Sequence, residues 1–127
     1  RRIAEAYSRS FADCEEIETP VELEEVRAAY HIYVIRLRTE LLQVGRREVF
    51  EALVAENIGA NVHYVPVHLH PFYVRELGYR RGDFPKAEDY YDRAITLPIF
   101  PSMTDDDVED VIGALRKVLS HLSKRGV

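Results

Sequence analysis

The chain has 127 residues, 46% of them hydrophobic and 31% charged, which is one folded domain's worth and neither a disordered nor a fibrous composition. Its net charge of −5, with arginines paired only at Arg1-Arg2, Arg46-Arg47 and Arg80-Arg81, argues against nucleic acid as a partner, because such binding rewards a clustered positive surface. A single cysteine, Cys14, excludes an intrachain disulfide and a multi-cysteine zinc site, and no apolar run is long enough to span a membrane, so the chain reads as cytoplasmic with no membrane partner.

Ile3, Ala4, Tyr7 and Phe11 recur at helical spacing and predict an amphipathic helix whose apolar side needs a partner. The sequence begins without methionine and inside this pattern, so it reads as part of a longer protein. Residues 1–11 are then the end of a connecting helix and residues 12–127 a small domain. The run CEEIETPVELEE, Cys14 to Glu25, is acidic around a proline and reads as an irregular loop. Next, AAYHIYVIRLR is aromatic and β-branched, which predicts a strand. Arg46 to Asn57 carries Val49, Phe50, Leu53 and Val54 on one helical face, with Gly59 placed to end the helix in the left-handed region. NVHYVPV reads as a second strand, ended by Pro66, which has no N–H for a ladder.

The stretch HLHPFYVRELGYRRGDFP has too many breakers for one helix. It predicts a short helix over Pro71 to Leu77, a turn from Gly78 to Asp83, and a helix from about Lys86 to Arg93 carrying Ala87, Tyr90 and Tyr91. AITLPIFP follows as a brief strand bounded by Pro98 and Pro101. In the last segment Thr104 and Asp107 form a capping box, and Asp105 and Asp106 place negative charge at the helix start. Val108, Val111, Ile112, Leu115, Val118, Leu119 and Leu122 then form one apolar stripe, and Lys117, Lys124 and Arg125 complement the far end of the helix dipole. The order of elements predicts an α+β domain in which helices pack on a small, largely antiparallel sheet.

The densest polar group is His63, Tyr64, His68 and His70 around Pro66. Three histidines invite a metal reading, but their spacing matches no zinc pattern and no cysteine or acidic residue completes the sequence cluster. Side chains where a strand breaks into a proline-held loop are instead well placed to touch a ligand. The plainer alternative is that one histidine bonds a carbonyl and the others are solvated. His31 precedes a strand and faces either a ligand or solvent. Arg36 and Arg38 suit a phosphate or carboxylate, although surface pairing is their commoner use. Cys14, among acidic neighbours, is a poor thiolate. Neither a glycine-rich phosphate loop nor a Ser-His-Asp order is present. The lysines, Lys86, Lys117 and Lys124, all read as exposed, whereas a lysine that binds a cofactor covalently needs a desolvated pocket.

From Ile58 through Ala114 the sequence resembles the DegT/DnrJ/EryC1/StrS family of sugar aminotransferases. The resemblance rests on Gly59 with Val62-His63-Tyr64 and Pro66, on His68, Pro71 and Tyr73, and on Pro85 with Ala87-Glu88. It continues through Leu97-Pro98-Ile99-Phe100-Pro101, Met103-Thr104 and Asp107. It extends more loosely to His31-Ile32-Tyr33-Val34 and to Arg1 through Tyr7. The resemblance implies the C-terminal small domain of a fold-type-I enzyme. The upstream domain of such an enzyme carries the lysine that holds pyridoxal phosphate, and two copies form a homodimer. No catalytic or cofactor residue is then expected in this chain. His63 and Tyr64 are the implied sugar-nucleotide contacts, with His31 and His68 behind them. The whole enzyme would move an amino group from glutamate to a nucleotide-linked keto-deoxysugar. The run VHLHPFYVRELGYRRGDFPKAEDYYDRAITLPIFP is most similar to the branch that makes UDP-4-amino-4,6-dideoxy-N-acetyl-hexosamines for surface polysaccharides.

Three rival readings stand beside this one. The chain could be a complete small binding domain without catalysis, against which the apolar Ile3, Tyr7 and Phe11 argue. It could belong to a relative that uses the cofactor for dehydration, since the deciding lysine lies upstream. It could be a metal module built on His63, His68 and His70. Loss of an upstream domain would leave apolar surface on the first helix and around the His63 segment.

Overall fold

The computed structural model describes residues 1–124. Its elements are α1 (Arg2–Ser10), β1 (Ile17–Glu18), β2 (Tyr33–Leu37), α2 (Arg46–Ala55), α3 (Pro71–Leu77), α4 (Pro85–Arg93), β3 (Ala94–Leu97) and α5 (Asp105–Leu122), with short 3-10 turns at Thr39–Leu41 and Val67–Leu69. The α+β class holds: the sheet is antiparallel throughout, in the order β1-β2-β3.

The central strand β2 alternates as its sequence predicts. Tyr33, Ile35 and Leu37 are fully buried, while Val34 and Arg36 point to the other face and are only partly covered. The core face shares one buried cluster with α5, whose stripe from Val108 to Leu119 is buried, and α1 and α2 both pack on α5. Thr104 caps α5 as a reciprocal box: its Oγ1 accepts from the Asp107 N–H at 3.1 Å, and Asp107 Oδ2 accepts from the Thr104 N–H at 2.8 Å. Lys117 pairs with Glu56, and Lys124 donates to the Glu40 carbonyl. Arg125 lies outside the described residues.

The first helix forms as predicted, but its apolar side finds its partner inside the chain. Ile3, Ala4, Tyr7 and Phe11 are all buried. The Tyr7 ring meets Tyr33 at 5.2 Å, its hydroxyl donates to the Pro98 carbonyl at 2.8 Å, and burial pushes the phenol well above its ordinary pKa. Buried in this way, Ile3, Tyr7 and Phe11 no longer speak against a self-contained domain, and no apolar patch remains on α1.

Three local expectations are corrected. The acidic run contains β1, two residues that pair with β2 through Ile17↔Leu37 and Glu18↔Arg36. α2 buries Val49 and Leu53 but leaves Val54 exposed, and it is Asn57, at φ 62°, rather than Gly59 that takes the left-handed conformation after it. The segment predicted as a second strand, residues 61–67, is irregular: its one ladder contact is an isolated bridge between Asn61 and Thr96. In contrast α3 runs between the predicted residues, from Pro71 in its first turn to Gly78, whose φ of 70° ends it.

Removing the Thr104 hydroxyl by Thr104→Ala is expected to cost about 1 kcal/mol, and Leu115→Ala about 2–5 kcal/mol. Urea titration reads both as lower midpoints at an unchanged slope. An unshifted midpoint for Leu115→Ala would place α5 outside the core.

Candidate functional site

The register of the sheet sets the site. Thr96 pairs with Val34 across β2 and β3, so its side chain lies on the face opposite the buried Ile95 and Leu97, the face that α4 approaches. Its backbone holds Asn61 in both directions, donating to the Asn61 carbonyl at 2.7 Å and accepting from the Asn61 N–H at 3.0 Å. Its hydroxyl meets His63 Nδ1 at 2.9 Å. One residue of β3 thus fixes both the entry to the 61–70 segment and the orientation of its first histidine. The His63–Tyr64 peptide is cis, and the two rings lie with centroids 4.5 Å apart. His63 is half-buried, while Tyr64 is 70% exposed.

The segment is pinned again at its far end. His68 is buried, with Nε2 at 2.8 Å from Glu88 Oε1 and its ring 4.7 Å from that of Phe84. Glu88 is itself buried, on α4, and also accepts from the N–H groups of Gly82 at 2.8 Å and Phe84 at 3.3 Å. Burial acts first to raise the Glu88 carboxyl, but the hydrogen bonds from Gly82, His68 and Phe84 outweigh it and hold the group below the usual carboxylate range. His70 Nε2 lies 3.1 Å from the Val65 carbonyl. The three histidines are therefore turned to three separate partners, and no group of three metal-ligating side chains forms among the described residues.

His31 is exposed at the bend before β2. Arg36 and Arg38 both pair with Glu18, which Arg93 also reaches at 3.3 Å, so the two strand arginines are engaged within the chain. Cys14 has its thiol pushed up, first by burial. Sequence reasoning missed Thr96 and Glu88. Thr96 did carry a signal, as the one polar residue in the strand AITL. Glu88 stood among the residues of the family resemblance, beside Pro85 and Ala87, but nothing in the sequence pointed to its partner His68.

Two hollows bear on ligand binding. One of about 360 Å³ is lined by Pro66, Val67, His68, Tyr73, Tyr79 and Phe84, and is almost wholly apolar. A larger one of about 820 Å³ lies beside α5 and carries Glu56, Asp107, Glu109 and Asp110 against Lys117. That excess of carboxylates repels an anionic ligand, so volume is a poor guide here and the His63 segment remains the better candidate. No lysine of the chain is buried: Lys86 is exposed, Lys117 is tied to Glu56 and Lys124 to Glu40. The chain's own residues therefore do not fit a covalently held pyridoxal phosphate.

Comparison with known proteins decides the family. The sequence pattern of the DegT/DnrJ/EryC1/StrS aminotransferase family matches residues 1–116. The chain belongs to that family. An uncharacterized protein of Methanocaldococcus jannaschii is 45% identical over 93% of this chain, which covers 31% of that protein. The spore coat polysaccharide biosynthesis protein SpsC of Bacillus subtilis is 43% identical over 92% of the chain, which covers 30% of SpsC. A Streptococcus pneumoniae protein whose structure was solved in its PLP form superposes at a TM-score of 0.82, with 27% identity over 94% of this chain and 30% of that one. The chain thus spans under a third of the length of the curated relatives it matches.

The carboxyls of Glu88, Glu22, Asp13 and Asp107 are all held low, Glu22 by Arg1, Asp13 by Arg116 and Asp107 by the Thr104 N–H. A depressed folded pKa contributes stability that is complete above the unfolded value, about 4–4.5, and lost as pH falls through the folded one. Urea midpoints are expected to hold from neutrality to about pH 5 and then to fall. Glu88→Gln, which removes one of these groups, is expected to flatten the fall. An acid slope identical in Glu88→Gln would show that the Glu88 bonds contribute nothing to it.

Proposed function

We propose that the chain is the C-terminal small domain of a pyridoxal-phosphate-dependent sugar aminotransferase, residues 1–11 forming the end of the helix that connects it to an upstream domain. The observation that carries this reading is the doubly anchored His63-Tyr64 segment in a chain of this family that offers no buried lysine. The upstream part then holds the cofactor, which supplies the electron sink for amino transfer. The PLP form of the similar Streptococcus pneumoniae structure supports that cofactor, and the role named for SpsC supports a sugar destined for a surface polysaccharide.

Within the enzyme this domain closes one side of the active-site cleft. His63 and Tyr64 contact the sugar nucleotide. His31 and His68 stand behind them, His68 by holding the loop to Glu88. Tyr64 suits the part, because an exposed phenol beside an imidazole presents a flat apolar face and a polar tip, which a sugar ring can use together. The substrate is a nucleotide-linked keto-deoxysugar, with glutamate as the amino donor. The product in the reading closest to the motif run is a 4-amino-4,6-dideoxy-N-acetyl-hexosamine. A homodimer in the cytoplasm completes the picture.

The test is the intact mass of the native gene product together with borohydride reduction. A product several times longer than this chain, with pyridoxal phosphate trapped on a lysine outside it and amino transfer from glutamate to a keto sugar nucleotide, is the expected result. A cofactor-bearing product that dehydrates the sugar without amination would move the assignment to the dehydrating relatives. A cofactor-free product of this chain's own length would leave a binding domain.

A further inference from the structure

Among the described residues, seven of the thirteen large apolar side chains left exposed fall between Tyr64 and Phe84. Their centre is α3. A helix of seven residues is marginal in water and draws its stability from packing. Yet α3 buries none of its residues, and its main contact within the chain is the short turn Val67–Leu69. Phe72 and Leu77 are 60% and 58% exposed, and Val67 on the turn is 61% exposed. The same turn supplies Val67 and His68 to the apolar hollow, and Tyr64 lies just before it. Three of the seven, Phe72, Val74 and Leu77, lie on α3 itself and the rest flank it, and apolar area gathered in this way marks a contact surface.

We propose that α3 and the adjoining hollow are the face on which the upstream, cofactor-carrying part of the same polypeptide docks. This inference rests on the reading of the chain as a small domain. Length supports the occupant: the chain accounts for 31% and 30% of two relatives, so a protein of their kind has more than two thirds of its length outside this domain and available to cover it. Position supports it as well. Tyr64 belongs to the same apolar stretch, and a pocket that lacks a lysine has to be completed by the part that carries one. The Glu88 clamp gives the face its rigidity, since His68, Gly82 and Phe84 all converge on that one carboxylate. Docking then presses on a surface already fixed to the sheet.

The experiment is hydroxyl-radical footprinting of the full-length gene product, read by mass spectrometry at single residues. It is paired with lysine crosslinking of an equal mixture of light and heavy-isotope protein. Corrected for the intrinsic reactivity of each side-chain type, Phe72, Leu77 and Val67 are expected to label about tenfold less than Val54 of α2, although all four are more than half exposed in this chain. Crosslinks from Lys86 to the upstream part are expected within single-isotope chains, and the protection is expected to survive dilution. Corrected labelling of Phe72 and Leu77 equal to that of Val54 would overturn the proposal. Protection that vanishes on dilution, with crosslinks only between light and heavy copies, would also overturn it by making the occupant a second copy. Protection in a full-length product that traps no pyridoxal phosphate would sink the enzymatic reading and leave the docking face standing. A gene product no longer than this chain would end both.

Discussion

The pairing of β2 with β3 is the constraint on which the rest of the domain depends. Its register gives Tyr33, Ile35, Ile95 and Leu97 to the core and, by the same alternation, puts Thr96 on the opposite face. A slip of one residue would exchange those faces. It would turn the Thr96 side chain, now buried beside His63, into the apolar core and remove the partner of His63. Packing energy and site geometry are thus not separate properties here: the buried face enforces the register, and the register aims the polar residue.

From that anchor the 61–70 segment extends to a second one, the buried Glu88 on α4. A carboxylate out of water needs its lone pairs filled, and Glu88 fills them with two backbone N–H groups and an imidazole from the segment itself. The result is an irregular segment with little ladder pairing whose two ends are nonetheless fixed. Between them Tyr64 stays exposed. Irregular backbone on a rigid scaffold is where binding residues concentrate, and a regular strand at this place would have alternated His63 and Tyr64 to opposite faces.

What the sequence made legible was what is local. The α5 stripe and its Thr104 cap, the Pro71 start and the Gly78 end of α3, and the alternation of β2 all follow from neighbours within a turn or two. What it hid was set by distant partners. β1 is too short to carry a pattern and exists because β2 offers it a ladder. NVHYVPV alternates like a strand, but Thr96 supplies a partner only for Asn61. The apolar side of α1 reads as unpartnered until α5, about a hundred residues later, covers it. His63 and Tyr64 stood out as a polar group beside Pro66 and gained a role from the family resemblance, whereas the positioning roles of Thr96 and Glu88 emerged only from geometry.

The central claim is that Thr96 holds His63 for the sugar substrate rather than for the fold alone. Stopped-flow absorbance of the full-length protein bearing Thr96→Val follows the two halves of amino transfer separately. Loss of one positioned hydrogen bond is expected to slow the sugar half by about tenfold, on the order of 1.4 kcal/mol, while the glutamate half stays within about twofold. An equal loss in both halves would reduce Thr96 to a structural residue, and no loss in either would remove His63 from the sugar site.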